Sequence, residues 1–405
     1  PHSPFPIPHS PFLPVVAVGA VALLLLSSNP VALIALPALA LYAAFLAWRT
    51  RSWSVLGRGA WAIGLGLGLA AFFWLPALVE RDWVQTDRLL SGYLNYRHHF
   101  VYLHQLLYSP WGYGLSLPGP EDGMSFGLGP VHLALLITSL LLAWKSGGRL
   151  RRAEESWGHF WFFVALLGLT AFLVTDNSIW LWDALPLLQY LEFPWRILVL
   201  AAVATAFLCG FPFLAVPGTR PRRRLLAALL GGLLLTGLGH ARPEGYSNTT
   251  DAEYSPAVIA TTGIEVTTAR EYEPIWVDQR PPMPAPSDRL LLLAGQVRVL
   301  KSRVTGHRLE WLVEADGPAY LRAAISYYPG WRLTVDGRPH PLTVQNRYGL
   351  IDFSLESGLH QVVLAFGSTP LRSWATALSG MALLLLGLTA FRERGAAKRL
   401  TCALA

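Results

Sequence analysis

About eight apolar stretches of 16 to 24 residues punctuate the chain, at 12–28, 30–48, 56–79, 128–144, 158–175, 197–216, 225–240 and 371–391. At about 1.5 Å of rise per helical residue, most match a hydrocarbon core of about 30 Å, and the shorter ones need local thinning or helical flanks. The pattern predicts eight transmembrane helices. Their connections alternate in charge. Arg49, Arg51 and Arg58 follow the second stretch, Lys145, Arg149, Arg151 and Arg152 the fourth, Arg220, Arg222, Arg223 and Arg224 the sixth, and Arg392, Arg394, Lys398 and Arg399 the eighth. The intervening short connections lack Lys and Arg: Asn29-Pro30 is uncharged, and 176–195 holds Asp176, Asp183 and Glu192. Because cationic flanks stay in the cytoplasm, both ends of this chain are expected inside the bacterial plasma membrane. The segments 80–127 and 241–370 are then expected outside.

Beyond about residue 245 the runs of Leu and Ala give way to short alternating segments rich in Val, Thr, Tyr and Trp, separated by Gly, Pro and Asp. Strands are predicted near 257–268, 296–303, 308–314, 318–327, 331–335, 341–345, 349–355 and 360–366, with Asp336-Gly337 as a hairpin turn. The proline-rich 279–289 reads as an extended linker. The expected architecture is a polytopic α-helical membrane protein with an extracytoplasmic all-β sandwich inserted before the last helix. Residues 1–240 form the helical block, with an outward loop at 80–127 and an interfacial helix at 178–193, where Trp180, Trp182, Tyr190 and Phe193 interleave with Leu. The sandwich occupies 241–370, the final helix 371–391 and a cytoplasmic tail 392–405.

Composition agrees with a membrane protein. Of 405 residues, 53% are hydrophobic and 14% charged, more apolar surface than one soluble core hides. The net charge of +7 sits in short clusters beside the helices, where anionic lipid headgroups account for it, and nucleic acid is excluded as a partner. The two cysteines, Cys209 and Cys402, imply no disulfide framework. The opening residues have no cationic region and do not read as a signal peptide; the chain is expected to be a fragment that lacks upstream helices.

Five strings occur in order: FFWLPALVE at 72–80, SPWGYG at 109–114, QYLEFPWR at 189–196, EYEPIW at 271–276 and YYPGWRLTVDG at 327–337. Together they resemble the bacterial multi-pass membrane family labelled 6-pyruvoyl-tetrahydropterin-synthase-related, whose carboxy-terminal half is similar to GT-C-like membrane proteins with an external β-domain. Pterin synthase chemistry is not expected, since it would need a soluble fold and a histidine zinc site. The resemblance implies a glycosyltransferase that uses a polyprenyl-phosphate-linked sugar donor on the outer face, with an envelope glycan as acceptor and membrane lipids as surroundings. In that fold the catalytic acid lies on the first outward loop, which would fall upstream of Pro1.

Candidate chemistry follows from position. Arg196, at the outward end of the sixth helix beside Trp195, could grip a lipid phosphate bidentately; the blander account is a helix-end arginine paired with Glu192. Glu80 and Asp82 open the large loop and are candidate catalytic carboxylates, set against a solvated loop rim. Glu121 and Asp122 are weak ligands for a divalent cation, the one cofactor entertained. His98, His99, Trp111, Tyr113, Tyr328 and Trp331 could line a sugar or acceptor surface, or serve as packing. Against the enzyme stand a non-catalytic scaffold binding lipid or glycan and, last, a transporter. A transporter would place ionisable groups within the helices, and these have almost none.

Overall fold

The computed structural model describes residues 13–146, 157–255, 258, 269–281 and 285–404. The strand expected near 257–268 and the cations Arg149, Arg151 and Arg152 lie outside the described residues. By internal contact the chain divides into two compact units: Pro1–Ala70, Leu89–Ser247 and Met381–Ala405 make the first, Ala71–Arg88 and Asn248–Gly380 the second.

All eight apolar stretches are helical. Among the described residues, four helices have the length and composition to cross a membrane: Asn29–Thr50, Pro194–Ala215, Thr219–Ala241 and Pro370–Phe391. Two further pairs, Trp53–Leu69 with Ala71–Val79 and Trp157–Leu173 with Asp176–Ala184, raise the number to six if each counts as one span; the second pair is bent by 87°. Pro14–Ser27 and Pro130–Lys145 are apolar but shorter. Their outward surfaces are greasy. Leu234 and Leu235 are 72% and 70% exposed, and Leu383, Leu384, Leu385 and Leu388 are likewise exposed. Apolar faces of this extent are suited to lipid rather than water.

Two local differences from expectation have simple causes. Segment 178–193 forms two short helices, Ile179–Ala184 and Pro186–Gln189, instead of one. Pro186 has no amide hydrogen and forces Leu185 out of the helical region, to φ −116° and ψ 89°. The large loop holds 3₁₀ turns and one short helix, Leu103–Leu107. At its tip the backbone of Gly114 donates to the Gly123 carbonyl at 2.8 Å, and Gly123 to that of Leu115 at 2.9 Å. A Cβ on Gly114 would lie 2.6 Å from the Gly123 Cα, so this crossing requires glycine on both sides.

Among the described residues the second unit contains eight antiparallel strands: β1 Leu290–Ala294, β2 Val297–Val304, β3 Arg308–Ala315, β4 Ala319–Ser326, β5 Trp331–Val335, β6 Arg338–His340, β7 Leu350–Leu355 and β8 Gly358–Phe366. One sheet has the order β1-β4-β7, the other β2-β3-β8-β5-β6. Leu321, Ile351 and Phe353 of the first pack with Leu309, Trp311, Val362 and Leu364 of the second in one core cluster, the interior of a sandwich. Each such side chain contributes about 1.5–3 kcal/mol by leaving water. Asp336 and Gly337 both have positive φ, 52° and 76°, and close the two-residue turn that their pairing predicts. Strand β1 escapes a search for alternation because LLLLA is a continuous apolar run. The segment 341–345 is no strand; Pro341 lacks a donor, and only Thr343 bridges to Asp352.

Candidate functional site

Arg196 lies in a 3₁₀ turn, Pro194–Ile197, that leads into the helix Leu198–Leu208. Pro194 suits the first position of such a turn, where no amide hydrogen is needed. Just before it, Glu192 adopts a left-handed φ of 61°, a conformation costly for a side-chain-bearing residue. Buried Leu191 and Phe193 hold it from both sides. Arg196 braces the same turn: Nη1 donates to the Leu191 carbonyl at 2.7 Å, Nη2 to Glu192 Oε2 at 3.3 Å, and the guanidinium sits 4.8 Å from the Phe193 ring centre. The pairing with Glu192 is therefore present.

The same arginine also lines a cavity of about 480 Å³, with Ser28, Val31, Phe126, Trp195, Leu198 and Val199 among its walls. The indole Nε1 of Trp195 is buried and has no hydrogen-bond partner. A second cavity, of about 270 Å³, shares Ser125, Phe126 and Leu198 with the first and adds His132 and Thr205. The Thr205 hydroxyl is buried and unpartnered as well. Nearly all buried polar groups in folded proteins are satisfied, so these two are exceptions; both atoms are closed to solvent and do not themselves open on the cavities that their residues border. The lining combines one cation and hydroxyls with apolar walls, and it includes no carboxylate. Such a site can hold an amphiphilic anion. It offers no general base.

Glu80 belongs to the second unit. It is buried, accepts from Arg372 Nε and Nη2 at 2.9 and 2.8 Å on one oxygen, and from Thr369 Oγ1 at 2.8 Å on the other. Arg372 in turn lies 5.2 Å from the ring centres of Tyr328 and Phe366, and Trp83 meets Tyr328 edge-on at 5.8 Å. Burial, then the nearby Glu80 charge, raises the Tyr328 phenol above its usual range. Asp82 is largely exposed and lies 3.4 Å from Arg81. Trp331 stacks obliquely on Phe366 at 5.2 Å. Arg372 and Thr369 are the residues that sequence reasoning missed. Arg372 stands alone as a charge in the first turn of the last helix, a signal that could have found it.

The remaining candidates sit in the first unit. Trp111 packs on His240 at 3.8 Å and edge-on to Tyr113 at 5.7 Å, while the Tyr113 hydroxyl donates to the Arg242 carbonyl. Asp122 accepts from Gln105 Nε2 and from the Leu117 amide, both at 2.8 Å, and Glu121 is exposed. Among the described residues no three His, Cys, Asp or Glu side chains come together in a way that could hold a metal ion.

His98 is exposed; His99 is only 1% exposed. His99 Nε2 donates to the Tyr93 carbonyl, so neutral Nδ1 accepts from Ser116 Oγ at 3.0 Å. Burial lowers its pKa, the neighbouring His98 adds to this, and the Tyr93 carbonyl opposes it. The folded state thus binds a proton less readily than the unfolded chain. Stability from this site is full above the ordinary imidazole value of about 6.5 and falls as pH drops through it. Thermal unfolding at pH 7.5 and 5.5 is expected to show a smaller pH-dependent loss in His99→Gln than in the parent; equal losses would exclude this assignment.

Comparisons with family models, with curated proteins and with solved structures find no match.

Proposed function

We propose that the chain binds the phosphate head of a polyprenyl-phosphate-type lipid in the cavity beside Arg196, as the carboxy-terminal part of a GT-C-like glycosyltransferase in cell-envelope glycan assembly. In this proposal all eight helices cross the plasma membrane, the cationic connections are cytoplasmic, and the β-unit is outside. The observation that carries it is the guanidinium of Arg196 on the wall of a cavity that is otherwise lined by Ser28, Ser125 and apolar side chains, with no carboxylate. A phosphate oxygen would accept from the N–H groups that Arg196 does not give to Leu191 and Glu192, with the Ser28 and Ser125 hydroxyls on the same wall. Leu198, Val199 and Ala202 offer an apolar track for the lipid chain.

A second reading, a non-catalytic lipid- or glycan-binding protein, is favoured by the carboxylates. None lines the cavity, and Glu80 has both oxygens engaged. One experiment separates the two. In nanodiscs, undecaprenyl phosphate is titrated against the parent, Arg196→Ala and Arg196→Lys, and sugar transfer from its glycosylated form is followed with the longest native chain. Arg196→Ala is expected to bind about tenfold more weakly, equivalent to about 1.4 kcal/mol, with Lys intermediate. Equal affinity, or equal binding of the uncharged prenol, would remove the phosphate site; binding without transfer would select the non-catalytic reading.

A further inference from the structure

The face of the five-stranded sheet turned away from the sandwich core carries cations in register. Arg308 on β3 is opposite Ala365 on β8, which is opposite Arg332 on β5. The next row runs from Arg303 on β2 through Glu310, Val363 and Thr334. Burial alternates along β3, with Leu309 and Trp311 inward and Arg308 and Glu310 outward. Arg303, Arg308 and Arg332 are all exposed. At the β2–β3 turn, Arg303, Thr305, His307, Arg308 and Glu310 enclose a cavity of about 150 Å³, roomy enough for one oxyanion with water, whose share of liquid volume is about 30 Å³.

Only part of this pattern follows from protecting a sheet edge. Charged residues on an edge strand block unwanted pairing, which accounts for Lys301 and Arg303 on β2. Strands β3 and β5, however, are interior to the order β2-β3-β8-β5-β6, and Arg308 and Arg332 have no such task. Glu310 lies 2.5 Å from Arg308. Its carboxyl is held below the usual range by that hydrogen bond and by the charges of Arg308, Arg303 and Lys301, so it neutralises only one of the cations around it.

We propose that this face binds an acidic polysaccharide, with one acid group in the cavity between Arg303 and Arg308 and the next on Arg332. Strands two apart in a sheet are separated by about 9.5 Å, so Arg308 and Arg332 present charge at that interval across a floor made by the small Ala365. In an acidic saccharide chain, acid groups two sugars apart repeat at a similar distance, whereas a lone phosphate would use one end of the stripe. Single-stranded nucleic acid binds on aromatic platforms placed between cations, and the intervening positions here are Ala365, Val363 and Thr334. The proposal is independent of the lipid cavity.

The test uses the full chain in nanodiscs of zwitterionic lipid and an oligogalacturonate probe, with a neutral dextran of equal length, inorganic phosphate and oligothymidylate as comparisons. Oligogalacturonate binding is expected, weakening as salt screens the charges, with no dextran binding. The double variant Arg303→Ala/Arg332→Ala leaves the Arg308–Glu310 pair intact and is expected to bind at least about tenfold more weakly, while the Lys/Lys double variant keeps most of the affinity. Thermal unfolding should match the parent. Absence of binding, unchanged affinity in the alanine variant, or equal or tighter binding of phosphate or oligothymidylate would each overturn the proposal.

Discussion

Arg372→Ala is expected to destabilise the second unit by about 3–5 kcal/mol, the cost of leaving a buried charge without its partner. Glu80 is 4% exposed and takes two hydrogen bonds from this guanidinium. Alanine also removes the cation from between the Tyr328 and Phe366 rings, where such contacts add about 0.5–2 kcal/mol. Glu80→Gln should cost less, because an amide oxygen still accepts from Arg372, and the arginine side chain left without its counter-charge is 18% exposed against 5% for that of Glu80. Hydrogen exchange of the strands between 290 and 366, read across a denaturant series, measures the change. A loss below about 1 kcal/mol would place the pair in the class of exposed ion pairs and contradict the burial seen here.

Asp352→Ala should have an effect of similar size within the three-stranded sheet. Arg322 on β4 and Asp352 on β7 are directly opposite, joined by two hydrogen bonds of 2.6 and 2.8 Å. Asn346 Nδ2 adds a third at 3.1 Å, and the Thr343 amide donates to the Asp352 carbonyl at 2.8 Å. Asp352 is 3% exposed. Its loss leaves a guanidinium with unmet donors and removes the side-chain tie to Asn346, a change expected to cost about 3–5 kcal/mol. Asp352→Asn, which retains the shape and one acceptor, should fall well short of that. Tryptophan fluorescence during denaturant unfolding checks both, since Trp311 lies in the adjoining core. Equal losses for Ala and Asn would mean that the carboxylate charge, rather than shape and the retained acceptor, carries the whole effect.

How much of this was legible in the sequence depended on the range of the interaction. The apolar stretches and strands β2 to β5 announce themselves by local periodicity, and the Asp336-Gly337 turn by chemistry that few residue pairs share. The Arg196–Glu192 pair is four positions apart and was readable for the same reason. The cavity beside it was not, because Ser28, Ser125 and Arg196 approach from three distant parts of the chain and no spacing rule relates them. Glu80 drew attention as a loop-edge carboxylate with candidate chemistry, yet its partner lies 292 residues away. A long-range partner leaves no periodic trace. The aromatic residues Tyr328 and Trp331 fit either a sugar surface or packing on sequence alone; their contacts with Arg372, Trp83 and Phe366 show what they touch.

The segment 71–88 is bound into its unit by chain made much later. Gln85 donates to the carbonyls of Pro274 and Val277, Val84 bridges to Pro274, and Glu80 waits for Thr369 and Arg372. At roughly 5–20 residues per second of synthesis, Glu80 is made on the order of 15 to 60 seconds before Arg372, 292 residues later. During that interval it must remain hydrated or be shielded by other means. The same connectivity bears on dissection: an excised β-module that starts at residue 248 would strip Arg372 of its carboxylate, whereas grafting 71–88 onto its front end would restore the closure.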